Sequence, residues 1–308
     1  MKITAPLAAA VFALLFPQIS ADAAGNDGSL RYVISGGNAV ITGYDGEPEN
    51  ITVPASIEGC PVTVIQDDAF YCCKSLRSIS FPDSLQKIGN NSFYGCSALE
   101  SVDIPDSVTD IGKGSFCGCI SLESISLPDS ADTLPDSCFR SCTSLTSAVI
   151  PENITTIDKF CFSGCTSLHD VSLDNNLSCI GSRAFFMCSS LEKIYVPSSV
   201  RKIGQQSLGF LPDMNGAVVK ADFTILGVEG SASERYAEKN GISFSGTYGA
   251  VPAFSPAADI PGKDTGSHGR KLSAAFFFAA GIVFCCLASK ANKKSRRRKK
   301  RRTQKRCS

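Results

Sequence analysis

Phenylalanine returns every 23 residues through the middle of this chain, at Phe70, Phe93, Phe116, Phe139, Phe162 and Phe185, with Leu208 closing the series. Cysteine keeps the same period three positions later (Cys73, Cys96, Cys119, Cys142, Cys165, Cys188). Leucine follows after another three (Leu76, Leu99, Leu122, Leu145, Leu168, Leu191). Three registers locked to one period mark a tandem array of one supersecondary unit. A unit of this length cannot bury its own apolar face, so stacked copies must share one continuous core. The functional question therefore moves from a pocket to a surface.

Each copy follows the pattern Ile-Gly-x-x-(Ser/Ala)-Phe-x-Gly-Cys-x-x-Leu-x-x-Ile-x-Ile-Pro, clearest over Ile88–Asp110 and Ile111–Thr133. Leu99, Val102 and Ile104 alternate with polar residues as in a half-buried strand. Pro105 then stops the strand, having no N–H to give a ladder. Gly89, Gly112, Gly181 and Gly204 read as tight turns that a side chain would strain. The phenylalanines form an inward ladder, each contributing roughly 1.5–3 kcal/mol by burial. Asp174 stands where the strand-ending proline is expected, and Ala148 fills an apolar strand position. These departures predict an array that loosens near its fourth and fifth copies and ends after Gly204.

The pattern resembles the BspA-like class of leucine-rich repeats, found on surface proteins of bacteria and of some parasitic protists. The entry segment Leu30–Phe70 and the closing segment Thr224–Phe244 resemble that class as well, so the likeness runs from Leu30 to Phe244. The resemblance implies a β-rich leucine-rich repeat solenoid, with one short strand per 23-residue repeat and the strands stacked in parallel. It also implies adhesion to host matrix or to other microbes.

The segments outside the array predict a surface topology. Met1–Ala23 has a short basic start, an apolar stretch and an Ala-Asp-Ala cleavage site, the features of a secretory signal peptide. Leu272–Ser289 is 18 residues without a charge, long enough to be read as a transmembrane helix. Lys290–Ser308 holds 12 basic residues and no acid, whereas Gly25–Pro256 holds 14 Lys and Arg against 26 Asp and Glu. A basic flank directly after an apolar span stays cytoplasmic. The chain thus divides into a signal peptide (1–23), an N-terminal cap (24–63), repeats (64–211), a C-terminal cap (212–246), a flexible linker (247–271), a transmembrane helix (272–289) and a basic tail (290–308). The expected location is the cell membrane, single-pass, with the acidic ectodomain outside. Ile260–Gly266 looks like a stretched sortase sorting motif, which offers cell-wall attachment as an alternative.

Fifteen cysteines in a secreted chain suggest a disulfide framework. Equivalent side chains in a ladder point in parallel, however, whereas a disulfide needs its two Cβ atoms turned toward each other. The periodic cysteines are therefore read as buried thiols. Cys138, Cys142, Cys161 and Cys165 form two pairs spaced by four residues and one repeat apart. On helical turns they would cluster and suit zinc or two disulfides. The repeat generates that spacing without any ligand, so no metal or other cofactor is expected.

No motif supports catalysis. The two histidines are His169 and His268, and there is no phosphate-binding glycine loop. His169, Asp170 and Ser172 lie on neighbouring strand positions and cannot converge as a triad, because alternate residues face opposite ways. The expected working surface is the exposed, concave strand face, represented by Arg77, Glu100, Asp103, Glu123, His169, Asp170, Glu192, Lys193 and Tyr195. Small hydroxyls and carboxylates there suit an extracellular protein (host matrix or another microbial surface) or a polysaccharide. With Tyr195 the one aromatic platform, a protein is favoured. The expected function is that of a cell-surface adhesin or binding protein. The alternative is a non-enzymatic envelope protein that self-associates laterally. Four Asn-x-Ser/Thr sequons, at Asn50, Asn90, Asn153 and Asn176, leave the host undecided.

Overall fold

The computed structural model describes residues 20–22, 29–214 and 216–246. Residues 29–44 form an antiparallel hairpin of Ser29–Ser35 and Asn38–Tyr44, and Ser20–Asp22 pairs antiparallel with its first strand. The end of the segment expected as a signal peptide is therefore a strand here, and the rest of that segment lies outside the described residues. Asn38–Tyr44 then pairs in parallel with Cys60–Ile65, which opens the stack.

Each coil has three sides. One carries the predicted three-residue strand, as at Ser78–Ser80, Ser101–Asp103 and Ser124–Ser126. A second carries a two-residue strand at the Ile-Gly position, as at Lys87–Ile88 and Asp110–Ile111. The expectation of one strand per repeat is therefore corrected to two. A two-residue strand is too short to show an alternating pattern, which is why the periodicity did not reveal it. The third side is the phenylalanine segment. It is a run of turns whose N–H groups still cross to the next coil: Phe93 to Ser115, Phe116 to Cys138 and Phe139 to Cys161, at 2.7–2.9 Å. Side chains inside this triangle form the core. The phenyl rings stack at centroid distances of 5.0–5.5 Å with planes within 14°, and Tyr44 extends the column above Phe70.

The strand side loosens where Ala148 and Asp174 predicted: Ser147–Val149 and Asp170–Ser172 pair with each other and with neither Ser124–Ser126 nor Lys193–Val196, while the core beneath them stays continuous. Leu177 N–H donates to the Asp174 carbonyl at 3.2 Å, closing the turn that the prolines make elsewhere. Phe139, Phe162 and Phe185 keep the common ring spacing. The Ile-Gly ladder breaks earlier, between Asp110–Ile111 and Thr133–Leu134. The cause is Pro135. Gly89, Gly112, Asp158, Gly181 and Gly204 each donate an N–H to the preceding coil, and proline has none to give.

The four repeat glycines also need a different account. None has a positive φ. A Cβ on Gly112 would lie 2.3 Å from the backbone carbon of Gly89, and one on Gly204 would lie 2.3 Å from the backbone nitrogen of Ser182. Close approach of successive coils, and not turn conformation, requires glycine there.

The strand side continues beyond Gly204, since Lys193–Val196 pairs in parallel with Thr224–Gly227, and that strand with Ser243–Gly246. The helix Ala232–Asn240 closes the phenylalanine side. Leu208 is the last residue of the phenylalanine register and has no further coil to receive its N–H. The Tyr236 hydroxyl accepts it at 3.1 Å. Among the described residues no helix is long and apolar enough to cross a membrane. Leu272–Ser289, the linker 247–271 and the tail 290–308 lie outside the described residues.

Candidate functional site

The three-residue strands alternate by construction: the middle residue (Ile79, Val102, Ile125, Ala148, Val171) enters the core, and its neighbours face outward. Eight of the nine expected site residues stand on the outside. Arg77, Glu100, Asp103, Glu123, His169, Glu192 and Lys193 are exposed, and Asp170 is half-buried. The ninth is corrected, because Tyr195 is only 4% exposed. Its strand is buried at Ile194, Tyr195 and Val196 in succession, the pattern of a strand covered on both faces. Here the regular array passes into the closing segment, and the sequence pattern of the repeat no longer reports which side is outside.

The charges on this face are partly matched along the stack. Arg77 lies between Glu100, at 3.2 Å, and Glu49, at 3.8 Å. Exposed pairs of this kind contribute about 0–1 kcal/mol, so they are available for exchange with a partner. Ser78 Oγ donates to Asn50 Oδ1 at 2.7 Å, and Thr146 Oγ1 donates to the Glu123 carbonyl at 3.3 Å. His169 Nδ1 lies 3.1 Å from the Ser167 carbonyl. Val149 adds one exposed apolar side chain, 51% accessible, in the middle of the face.

Cys138, Cys142, Cys161 and Cys165 do not share one face of a helix. Cys142 and Cys165 belong to the ladder in which Cys96, Cys119, Cys142, Cys165 and Cys188 each donate a thiol proton to the carbonyl of a phenylalanine one coil back, all at 3.2 Å. Cys138 and Cys161 instead occupy the small-residue register of Ser92, Ser115, Ala184 and Ser207, where Cys138 Sγ meets Ser115 Oγ at 3.2 Å. Burial holds the Cys161 and Cys165 thiols well above their usual range, and Cys138 at about 12. Among the described residues no group of His, Cys, Asp or Glu is arranged to hold a metal ion. Twelve cysteines among the described residues are unpaired.

Two aromatic features escaped the sequence reading, and both lie on the phenylalanine side. Tyr71 and Tyr94 stack at 5.1 Å with their edges exposed. Arg140 and Arg183 approach the ring of Phe160 at 5.5 and 5.9 Å, and Arg183 also lies 5.4 Å from Phe186. The available signal was that Phe160 and Phe186 fall outside the 23-residue phenylalanine register.

A triangular coil with an internal phenylalanine column, repeated at this period, is a specific architecture. The model of the BspA type leucine rich repeat region matches in six copies, over residues 63–164 and 87–215. The chain belongs to the BspA-type leucine-rich repeat family. Among solved structures, a leucine-rich repeat protein of T. pallidum is 25% identical with a TM-score of 0.52, over 70% of this chain and 95% of that one. A leucine rich cell surface protein of Faecalibacterium prausnitzii A2-165 is 23% identical with a TM-score of 0.52, over 68% of this chain and 70% of that one. A leucine-rich repeat protein of Eubacterium ventriosum is 25% identical with a TM-score of 0.50, over 61% of this chain and 54% of that one. No curated protein matches the chain. These likenesses agree on the BspA-type fold.

Proposed function

We propose that this BspA-type chain is a binding protein displayed at a cell surface, which takes an extracellular protein on its exposed strand face. The observation that carries the reading is the strand side itself. Arg77, Glu100, Glu123, His169 and Glu192 share one 23-residue register, Asp103 lies beside it on its strand, and all contribute nothing to the core. A row of carboxylates and hydroxyls on a rigid stack makes an extended hydrogen-bonding surface of the kind repeat solenoids offer to another folded chain. The burial of Tyr195 removes the one aromatic platform that this face offered to a sugar. The F. prausnitzii relative is described as a cell surface protein. With the apolar segment Leu272–Ser289 and its basic flank, that supports display outside the cell.

The test is a screen of residues 24–246 against matrix proteins, microbial surfaces and polysaccharides, beside a variant carrying Glu100→Lys, Asp103→Lys, Glu123→Lys and Glu192→Lys. All four side chains are exposed, so the variant is expected to fold. Binding that the variant loses supports the assignment. Binding that the variant retains refutes the strand-face site, and concentration-dependent assembly without any ligand favours a self-associating envelope protein.

A further inference from the structure

The phenylalanine side carries a cluster that the fold does not require. Arg140, Phe160, Arg183 and Phe186 alternate cation and ring over three successive coils. Both guanidinium groups are exposed, and both rings are half-buried. Arg183 Nε donates to Gln206 Oε1 at 2.8 Å, which ties that side chain down while the residue stays exposed. Among the described residues neither arginine pairs with a carboxylate. Asp136, four residues before Arg140, is committed to Lys159 at 3.2 Å. Two unpaired guanidinium groups held against rings, in an ectodomain where acids outnumber bases, form a local positive site.

Apolar surface adjoins it. Met187 is 40% exposed, and its N–H donates to the carbonyl of Phe210, where the hairpin Phe210–Asp213/Gly216–Val219 begins. That hairpin exposes Met214 and Val218. Arginine, aromatic residues and methionine are the types enriched where proteins meet proteins.

We propose that Arg140, Phe160, Arg183, Phe186 and Met187 form a second docking surface, whose partner is a protein segment carrying carboxylates next to apolar side chains. Each guanidinium offers a planar fork to a carboxylate. Phe160 has an arginine near its ring, so the rings serve to hold the cations more than to stack on a sugar. The apolar margin at Met187 offers nothing to a polyanionic polysaccharide and much to a leucine or phenylalanine of a peptide.

The test uses the full chain and a synthetic peptide of alternating glutamate and leucine bearing a benzophenone, with crosslinks mapped by mass spectrometry. Mapping is needed because the basic tail 290–308 also attracts acidic peptides. Crosslinks are expected at Met187 and its neighbours, and are expected to fall at least tenfold in Arg140→Gln/Arg183→Gln. The paired lysine variant should recover only part of the signal, since it keeps charge without the fork. Circular dichroism confirms that each variant is folded. Crosslinks confined to the tail overturn the proposal, as does equal labelling of the glutamine variant. Displacement by polygalacturonate, but not by excess unlabelled peptide, assigns the site to polysaccharide instead. The strand-face variant described above should label normally, so failure of one assignment leaves the other intact.

Discussion

Replacing Phe116 with leucine removes both of its ring contacts while leaving most of its volume filled. Its ring sits between Phe93 at 5.2 Å and Phe139 at 5.5 Å, and it is fully buried. A volume-conserving apolar exchange costs less than about 1.5 kcal/mol. Each aromatic pair contributes a further ~0.5–1.5 kcal/mol beyond area. Loss of two pairs brings the expected destabilisation to roughly 2–4 kcal/mol. Phe185 provides the internal comparison: its ring stacks on Phe162 at 5.3 Å, but the next position in the column is already leucine, at Leu208. Phe185→Leu should therefore cost less by one ring pair, about 1 kcal/mol. Urea titration followed by circular dichroism measures both. Because each coil couples only to its neighbours, Phe116→Leu should also broaden the transition as the two halves uncouple. Equal losses in the two variants would refute the claim that ring-on-ring contacts, and not burial alone, hold the column together.

Gly112→Ala should destabilise by about 1–3 kcal/mol or more, because its Cβ meets the Gly89 backbone and forces the coils apart. Gly118→Ala, at φ 76° with its nearest atom 3.6 Å away, should cost only the left-handed penalty of about 1 kcal/mol. The same denaturation assay ranks them, and the reverse order would sink the close-approach account. Of the cysteines among the described residues, a thiol-reactive dye applied to the native chain should label Cys72 first and Cys60, Cys117 and Cys179 more slowly, leaving the eight buried ones unreactive until denaturant is added. Rapid native labelling of Cys142 or Cys165 would contradict the thiol–carbonyl ladder. Asp67 is held below the usual carboxylate range, chiefly by the hydrogen bond from the Asn90 side chain. Its stabilisation is present above the unfolded carboxylate value and is lost as pH falls from about 4 downward. Asn90→Ala should flatten the acid limb of a melting-temperature profile, and an unchanged limb would mean that other carboxylates control it. The sequon at Asn90 should stay unmodified in a glycosylating host, since its side chain bridges Asp67 and Lys113 and Ser92 is fully buried. A glycan found at Asn90 by peptide mass would refute that.

How much of this was legible without coordinates depended on repetition. A period of 23 residues in three registers sufficed for the solenoid, the phenylalanine core and the outward strand residues from Arg77 to Glu192, because each identity was stated six times over. The details that the structure decided are those the period does not state. Glycine in a repeat looks alike whether it serves a left-handed turn or a close backbone approach, and only the distance from Gly112 to Gly89 separates the two. Pro135 interrupts one ladder because its missing N–H matters only once the facing carbonyl is known. Tyr195 looked exposed while the repeat pattern was extended into a coil that no longer obeys it. Cys138 and Cys142, four residues apart, proved to belong to different registers with different hydrogen-bond partners. Arg140, Phe160, Arg183 and Phe186 are scattered in the sequence and become neighbours only because coils stack. Periodicity encodes what every coil has in common. Contacts that a single coil makes with its neighbours depend on the distance between them, and a one-dimensional pattern carries no such distance.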